Sequence, residues 1–466
     1  LSFSCIFVIK ISQMKHLFLI LFVIATNLSV AQEDSIFIKS IYNMALSEGN
    51  SYEDLRSLCK DIGARLTGSA EAEMAIKWGE NKMKGYGFDK VYLQEITVPH
   101  WERGNKEVGW IRLKNQELVK VNMLALGGSI GTDGVISGDI IEFSSLEALK
   151  DAKKSDVQGK IIFLNQPMDE TQINTFKAYG GCYMVRGFGA VEGAKLGAKA
   201  IIIRSLGLPI DEHPHTGSMH YVDSVTKIPA AALSTKDADL LSQMLQKNNA
   251  EFVMEMDCRD FEDVTSYNVI GELTGTKKPK EIITFGGHLD SWDTGEGAHD
   301  DGAGIIHSLE ALRILKVLGH KPKHTLRVVF FMNEENGNMG GKSYAKIVSD
   351  KNEKQIAALE SDRGGFTPRG FHCDGNSSQI EQLKKLETHF TPYDLHIFEK
   401  EYGGVDISPL KDYYEDIPLF GFVPDSQRYF DFHHAPSDVF ENVNKRELEL
   451  GCAAMASFLY LLDKNL

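Results

Sequence analysis

Three apolar runs in the second half of the chain, Glu281 to Gly287, Thr325 to Met332 and Gln355 to Leu359, read as β-strands. Each passes directly into metal-competent side chains: His288 and Asp290 after the first, Asn333-Glu334-Glu335 after the second, Glu360-Ser361-Asp362 around the end of the third. Independent surface loops would have no reason to repeat this arrangement. Apolar strands separated by helical spacing indicate a parallel sheet. Parallel strands bring their carboxyl ends to one edge, which is where an open α/β sheet binds its ligands. The pattern predicts one sheet with one site on its edge.

Between the first strand and an amphipathic helix starting near Gly302 lies a Gly-rich loop, Gly286 to Gly304, carrying His288, Asp290, Asp300 and Asp301. Acids at such a place also suit a solvated loop or a helix N-terminus, and Asp301 is read as capping. Late in the chain, Phe432-His433-His434-Ala435-Pro436-Ser437-Asp438 adds paired histidines, either of which taken alone reads as structural or exposed rather than as a ligand. Taken together, His288, Asp300, Glu335, Asp362 and one of the late histidines supply the nitrogen and oxygen donors that two metals sharing a bridging carboxylate and a water require. Glu334, beside a ligand without being one, is the natural general base. Asp290 is expected to orient the His288 imidazole rather than to coordinate.

The rest of the chain frames this site. With 466 residues, 42% hydrophobic and 25% charged, it is an ordinary globular chain long enough for two or three domains. A net charge of −15 and the lack of any Lys/Arg block argue against a nucleic-acid partner. Residues 1–31 have the layout of an upstream extension followed by a cleaved signal peptide, with Met14 as initiator, Leu17 to Ala25 as the apolar core and cutting after Ala31. Removing Lys10 and Lys15 with it leaves 48 basic against 65 acidic side chains, a net −17. The expected location is therefore secreted or periplasmic, without a stable membrane anchor. Five cysteines remain, scattered and without C-x-x-C spacing, so neither a disulfide framework nor a cysteine zinc site is indicated, and at most one or two bridges are expected.

Helical spacing covers Ser35 to Leu46, Tyr52 to Ile62 and Glu71 to Gly85, with a strand at Val91 to Val98. From about Ile111 short β segments with Gly turns take over: Val119 to Leu126, Gly134 to Phe143, Lys160 to Leu164, Ala200 to Ile203 and Ile228 to Leu233. Helical runs are read at Gly189 to Leu196 and Asp237 to Gln246. This texture predicts an inserted β-rich domain over 112–262 between an N-terminal part, 32–111, and the metal-bearing part, 263–466. His213, His215 and His220 share a loop there but have no carboxylate at ligand spacing, and are read as loop residues.

HLDSWD with the later DDGAG, the Glu334-Glu335 pair after an apolar strand, the Glu360-Ser361-Asp362 triplet and the His434-x-x-x-Asp438 spacing resemble the co-catalytic dizinc exopeptidases, a family of bacterial aminopeptidases and glutamate carboxypeptidases. PHWERG at Pro99 to Gly104, SIGT at Ser129 to Thr132, PHTG at Pro214 to Gly217, KIPAA at Lys227 to Ala231 and FHH at Phe432 to His434 extend the resemblance over nearly the whole chain, in particular to the plasma-type glutamate carboxypeptidases. The resemblance implies a mostly parallel twisted sheet flanked by helices, and an inserted domain of protease-associated type. It also implies two Zn2+ held by His288, Asp300, Glu335, Asp362 and His434, with Asp300 bridging and Glu334 as catalytic base. Selecting His434 over His433 rests on this match. Tyr402, four residues before Asp406, is a candidate oxyanion donor, with packing as the competing role. Arg363, where relatives tend to carry a small residue, and Ala435-Pro436-Ser437 depart from the family pattern and bear on substrate preference.

The expected activity is hydrolysis of short peptides, dipeptides foremost, and a homodimer is left open. A carboxypeptidase or dipeptidase needs a cation for the substrate carboxylate, with Arg363 and Arg428 as candidates; an aminopeptidase needs acids for the free amine. Two rivals remain: a single-zinc glutaminyl cyclase of the same fold, and a binding ectodomain without activity.

Overall fold

The computed structural model describes residues 32–113, 117–247 and 250–466. The signal-peptide reading falls on 1–31 and lies outside the described residues. Two eight-stranded sheets carry the chain. In the first, four parallel strands lie side by side in the order His324–Phe331, Lys278–His288, Lys354–Glu360, Leu419–Pro424. The antiparallel pair Val264–Leu273 and Lys90–Val98 extends one side; Pro368–Asp374 and Ile397–Lys400 extend the other.

The chain steps from Lys278–His288 to one neighbour and then crosses back to the other side, so the strand bearing His288 is a topological switch point. The crevice beyond its carboxyl end is the expected ligand position. All eight residues of His324–Phe331 are buried, as a strand covered on both faces must be. Side chains alternate between faces. Val328 and Phe330 join the core made with Leu309, Leu312 and Leu459 of helices Ala303–Val317 and Lys445–Asn465. Val329 and Phe331 pack with Tyr344, Ala345 and Val348 of helix Met339–Asp350. The fold is thus α/β, with a mostly parallel sheet between helical layers.

The second sheet runs in the order Leu118–Val121, Glu107–Arg112, Glu251–Met256, Ile136–Phe143, Ile161–Leu164, Ala200–Arg204, Ala230–Leu233, Met123–Ala125. It takes its first strand from Glu107, so a boundary at 112 would cut that strand off: its pairing with Glu251–Met256, not the texture change near Ile111, sets where the sheet begins. The single expected segment Val119 to Leu126 is divided between opposite edges of this sheet, because Leu118–Val121 and Met123–Ala125 find different partners.

The helix expected over Gly189 to Leu196 runs from Thr175 to Lys195, capped by the Asn174 side chain, which accepts the N–H groups of Phe176 and Lys177. Its glycines weaken the helical signal by about 1 kcal/mol each relative to alanine, whereas burial of Val185, Ala190 and Val191 holds it in place. The five cysteines of the described chain are free and buried. None of the described helices is long and apolar enough to cross a membrane.

Candidate metal centre

The four parallel strands deliver their following residues to one place. His288 ends the first strand, Glu334 and Glu335 follow Phe331, Asp362 follows Glu360, and His433 and His434 follow Pro424 by way of the short helix Tyr429–Phe432. The fourth of these strands, Leu419–Pro424, is absent from the sequence reading above, although its apolar run LFGFVP is a usable signal. Asp300 enters from the loop before helix Ala303–Val317. The start of that helix packs so tightly that a Cβ on Gly304 would stand 1.8 Å from the Ser361 carbonyl oxygen, which is why glycine follows Ala303 in its first turn.

Asp300 is the hub. Its Oδ1 lies 3.2 Å from His288 Nε2, and its Oδ2 lies 3.3 Å from His434 Nε2. His288 Nε2 is also 3.5 Å from Asp362 Oδ1, and His434 Nε2 is 3.1 Å from Glu335 Oε2. The two groups are therefore His288, Asp362 and Asp300 on one side, and His434, Glu335 and Asp300 on the other. His433 Nε2 is farther from Asp300, at 3.8 Å, and its ring stacks on His434. Asp301 also lies near enough to His288 and Asp362 to form a group able to hold a metal, but its two carboxylate oxygens already accept the N–H groups of His288 and Gly304, both at 3.0 Å, so it pins the loop and caps the helix.

Three carboxylate oxygens here, Asp300 Oδ2, Glu335 Oε1 and Asp362 Oδ1, are buried without a hydrogen-bond partner. Buried acceptors left unpaired are costly, and carboxylates crowded around two imidazoles call for cations. Burial would lower the His288 imidazole, but Asp300 and Asp362 hold it well above its ordinary value. Burial would likewise raise Asp300, but His288 and His434 hold it well below the usual carboxylate range. Protons thus stand where a cation would balance the charge. His288 Nδ1 faces the Asp290 carbonyl at 3.0 Å and His434 Nδ1 faces the Thr216 carbonyl at 3.3 Å. Donation from Nδ1–H in each case leaves both Nε2 lone pairs aimed into the site. The donor set suits zinc.

Asp290 orients His288 through its backbone carbonyl, not its carboxylate, which is 3.8 Å from Nδ1. The carboxylate instead accepts the N–H groups of Asn333, Glu334 and Glu335 at 2.7, 3.2 and 3.3 Å, and the Thr67 hydroxyl at 3.1 Å. Glu334 opens on a cavity of about 500 Å3 that also reaches Asp300, Glu335, Asp362 and His434. Burial pushes its carboxyl well above the usual range, with His288 opposing and Asp362 and Glu335 adding to the rise. Tyr402 lies on the cavity wall and is 46% exposed; burial raises its phenol, against a hydrogen bond from Ser408.

Several supporting residues escape a sequence reading. Arg65, fully buried, donates to the carbonyls of Leu289, Glu296 and Gly297 and so shapes the loop leading to Asp300. The sequence marks Asp438 only by its spacing from His434; its role is seen in the structure, where its carboxylate accepts the N–H groups of His299 and Asp300 at 2.8 and 3.1 Å. From the second sheet's side, Ser218 Oγ donates to the Glu335 carbonyl at 2.5 Å. Arg186 donates to the carbonyls of Thr216 and Ser218 and to the Tyr179 hydroxyl. The only available cue was the odd position of an arginine among glycines, as at Arg65-Leu66-Thr67-Gly68. Of the loop histidines, His215 is buried, where burial lowers its imidazole to about 3, and His220 faces the cavity. Among the described residues neither joins a cluster able to hold a metal. Arg363 lines the cavity, whereas Arg428 stands outside its lining and pairs with Glu447.

Comparison with known proteins agrees with this geometry. The model of "Peptidase family M28" matches residues 268–459, the stretch containing all the metal-competent strand ends. Carboxypeptidase Q of Bos taurus is 33% identical over 430 residues, covering 91% of this chain and 88% of the relative. The crystal structure of a peptidase M28 precursor from Shewanella amazonensis SB2B superposes with a TM-score of 0.87 at 34% identity, covering 93% of this chain and 97% of that one. A zinc aminopeptidase from Bacillus subtilis shares the fold at 21% identity, with a TM-score of 0.64 over 89% of this chain and 94% of its own. Identity sustained across nearly the full length places the chain in peptidase family M28.

Proposed function

We propose that this chain is an exported dizinc metalloexopeptidase of short peptides, dipeptides foremost. One observation carries the reading: the carboxylates of Asp300, Glu335 and Asp362, each with an oxygen left without a hydrogen bond, crowd the Nε2 atoms of His288 and His434 at neighbouring strand ends. His288, Asp362 and Asp300 would hold one zinc, and Glu335, His434 and Asp300 the other. Bound there, the pair supplies Lewis-acid polarisation of a peptide carbonyl and a water of lowered pKa.

The chain's own residues do the rest. Glu334 does not belong to either donor group and faces the cavity, so its carboxylate takes the proton of the attacking water and returns it to the leaving amine. Asp290 fixes the backbone from Asn333 to Glu335 and thereby sets where that carboxylate stands. Tyr402, which lines the wall, would donate to the oxyanion as the carbonyl becomes tetrahedral. A cavity of about 500 Å3 suits a ligand of dipeptide size. The second sheet, in the manner of a protease-associated domain, closes one side of it through Tyr179, Arg186 and Ser218. Export follows from the signal-like layout of residues 1–31.

The test is metal analysis of the purified protein combined with a panel of unblocked dipeptides, with and without chelator. Two zinc ions per chain and chelator-sensitive hydrolysis are expected. A single zinc would favour the cyclase alternative, and no hydrolysis after zinc is restored would overturn the peptidase reading.

A further inference from the structure

The hydrolytic chemistry uses the acids and histidines of the cavity and leaves its two arginines without a task. Arg186 is already committed. It is 4% exposed, and its guanidinium donates to two carbonyls and the Tyr179 hydroxyl while lying 3.3 Å from His434 Nδ1. Its place is structural: it holds the Thr216–Ser218 loop behind the two donor groups.

Arg363 is different. One guanidinium nitrogen meets His372 Nδ1 at 3.1 Å and another donates to the Tyr402 carbonyl at 3.4 Å, while the Phe176 ring centroid lies 5.1 Å from the guanidinium carbon. These partners carry no negative charge. His372 accepts through Nδ1 and is kept neutral by burial, which lowers its imidazole to about 3. Among the described residues Arg363 has no carboxylate within ion-pair distance, whereas nearby Arg369 and Arg428 are paired with Asp425 and Glu447. Burial disfavours the charged guanidinium, and the Asp362 and Glu360 carboxylates, acting from beyond ion-pair distance, offset this only in part, while a guanidinium cannot shed its proton to relieve it. Such a group is a receptor for an anion, above all for a carboxylate that matches its planar fork.

Its position says which anion. Arg363 follows Asp362 directly and lines the same cavity of about 500 Å3 as Glu334, so a ligand of dipeptide size held there meets both. A second cavity, of about 240 Å3, shares Arg363 and Phe176 with the first and gives the terminal side chain room beyond the guanidinium. We propose that Arg363 binds the C-terminal carboxylate of the substrate and makes the enzyme selective for short peptides with a free C-terminus. This rests on the peptidase reading above and adds the substrate class to it. His372 and Phe176 are positioning residues for the guanidinium.

The experiment compares the best dipeptide substrate of a panel with its C-terminal amide, using the zinc-loaded full chain. Wild type is expected to favour the free acid by about tenfold or more in kcat/KM, mostly through KM. In Arg363→Gln that preference should fall to within about threefold, with Arg363→Lys between, because a point charge keeps attraction but loses the fork. Equal kcat/KM for acid and amide in the wild type, or an undiminished preference in Arg363→Gln, overturns the proposal. The wild-type comparison stands even if a variant fails to fold. Calorimetric binding of the free amino acid product against its amide makes the same distinction without turnover. Loss of hydrolysis across the panel with that binding preference intact would fail the peptidase reading and leave the carboxylate receptor standing.

Discussion

The carboxylate of Asp290 accepts the backbone N–H of Asn333 at 2.7 Å, tying the loop after one central strand to the loop after its neighbour. The same carboxylate reaches the amides of Glu334 and Glu335, so one side chain from the His288 loop sets the backbone that presents the proposed base and a proposed ligand. Replacing Asp290 by Ala would strand these buried N–H groups, each costing about 1–3 kcal/mol. Expected are a clear fall in the unfolding free energy and zinc affinity weakened about 10- to 100-fold. Denaturant unfolding and zinc competition titration check both. Unchanged zinc affinity would refute the positioning role.

Glu334→Gln keeps size and polarity but removes the proton acceptor. Zinc content and melting temperature should stay at wild-type levels while kcat falls by about 100-fold or more. Wild-type-like turnover would eliminate Glu334 as the base.

Arg186 and Ser218 connect the second sheet to the site, the serine through the Glu335 carbonyl and the arginine through the Thr216–Ser218 loop. Ser218→Ala removes one hydrogen bond and should cost about 1 kcal/mol. Arg186→Ala removes several and should weaken zinc binding as well as stability. If Arg186→Ala binds zinc as tightly as wild type, the second sheet covers the cavity without supporting the metal groups.

His307 provides a pH test away from the donor groups. It is fully buried, and burial lowers its imidazole from 6.5 to about 3, with His299 adding slightly. The folded state holds it neutral, while the unfolded chain takes up a proton near 6.5. Its contribution is therefore complete above about pH 6.5 and is lost as pH falls towards 3, by about 1.4 kcal/mol per pH unit. Wild type minus His307→Asn in unfolding free energy should shrink along that slope. A difference independent of pH between 6.5 and 4 would contradict the buried neutral state.

The strands beneath the site were legible because periodicity and apolar runs are local properties. Thr325 to Met332 and Gln355 to Leu359 match observed strands to within one residue at each end, and Glu281 to Gly287 lies inside the longer Lys278–His288. Helix Thr175–Lys195 was legible only at its end, since its glycines hide a helix that tertiary burial maintains. The strand Leu419–Pro424 is a short apolar run that only pairing with Lys354–Glu360 turns into a sheet member.

By itself the sequence determined the α/β class, the strand ends that share an edge, and a candidate set of His288, Asp300, Glu334, Glu335, Asp362 and one of the late histidines, because side-chain chemistry and its spacing along a strand are written in the chain. Only family resemblance singles out His434 from His433. Tertiary structure decided what depends on distance between residues far apart in sequence. It made Asp300 the hub between two groups, turned Asp290 towards the Asn333 amide instead of the imidazole, and brought Arg186 and Ser218 from another sheet. It also left Arg363 in the cavity with no carboxylate at ion-pair distance among the described residues, while Arg428 found one. Which charge remains unpaired is a property of packing, and no local pattern in the chain encodes it.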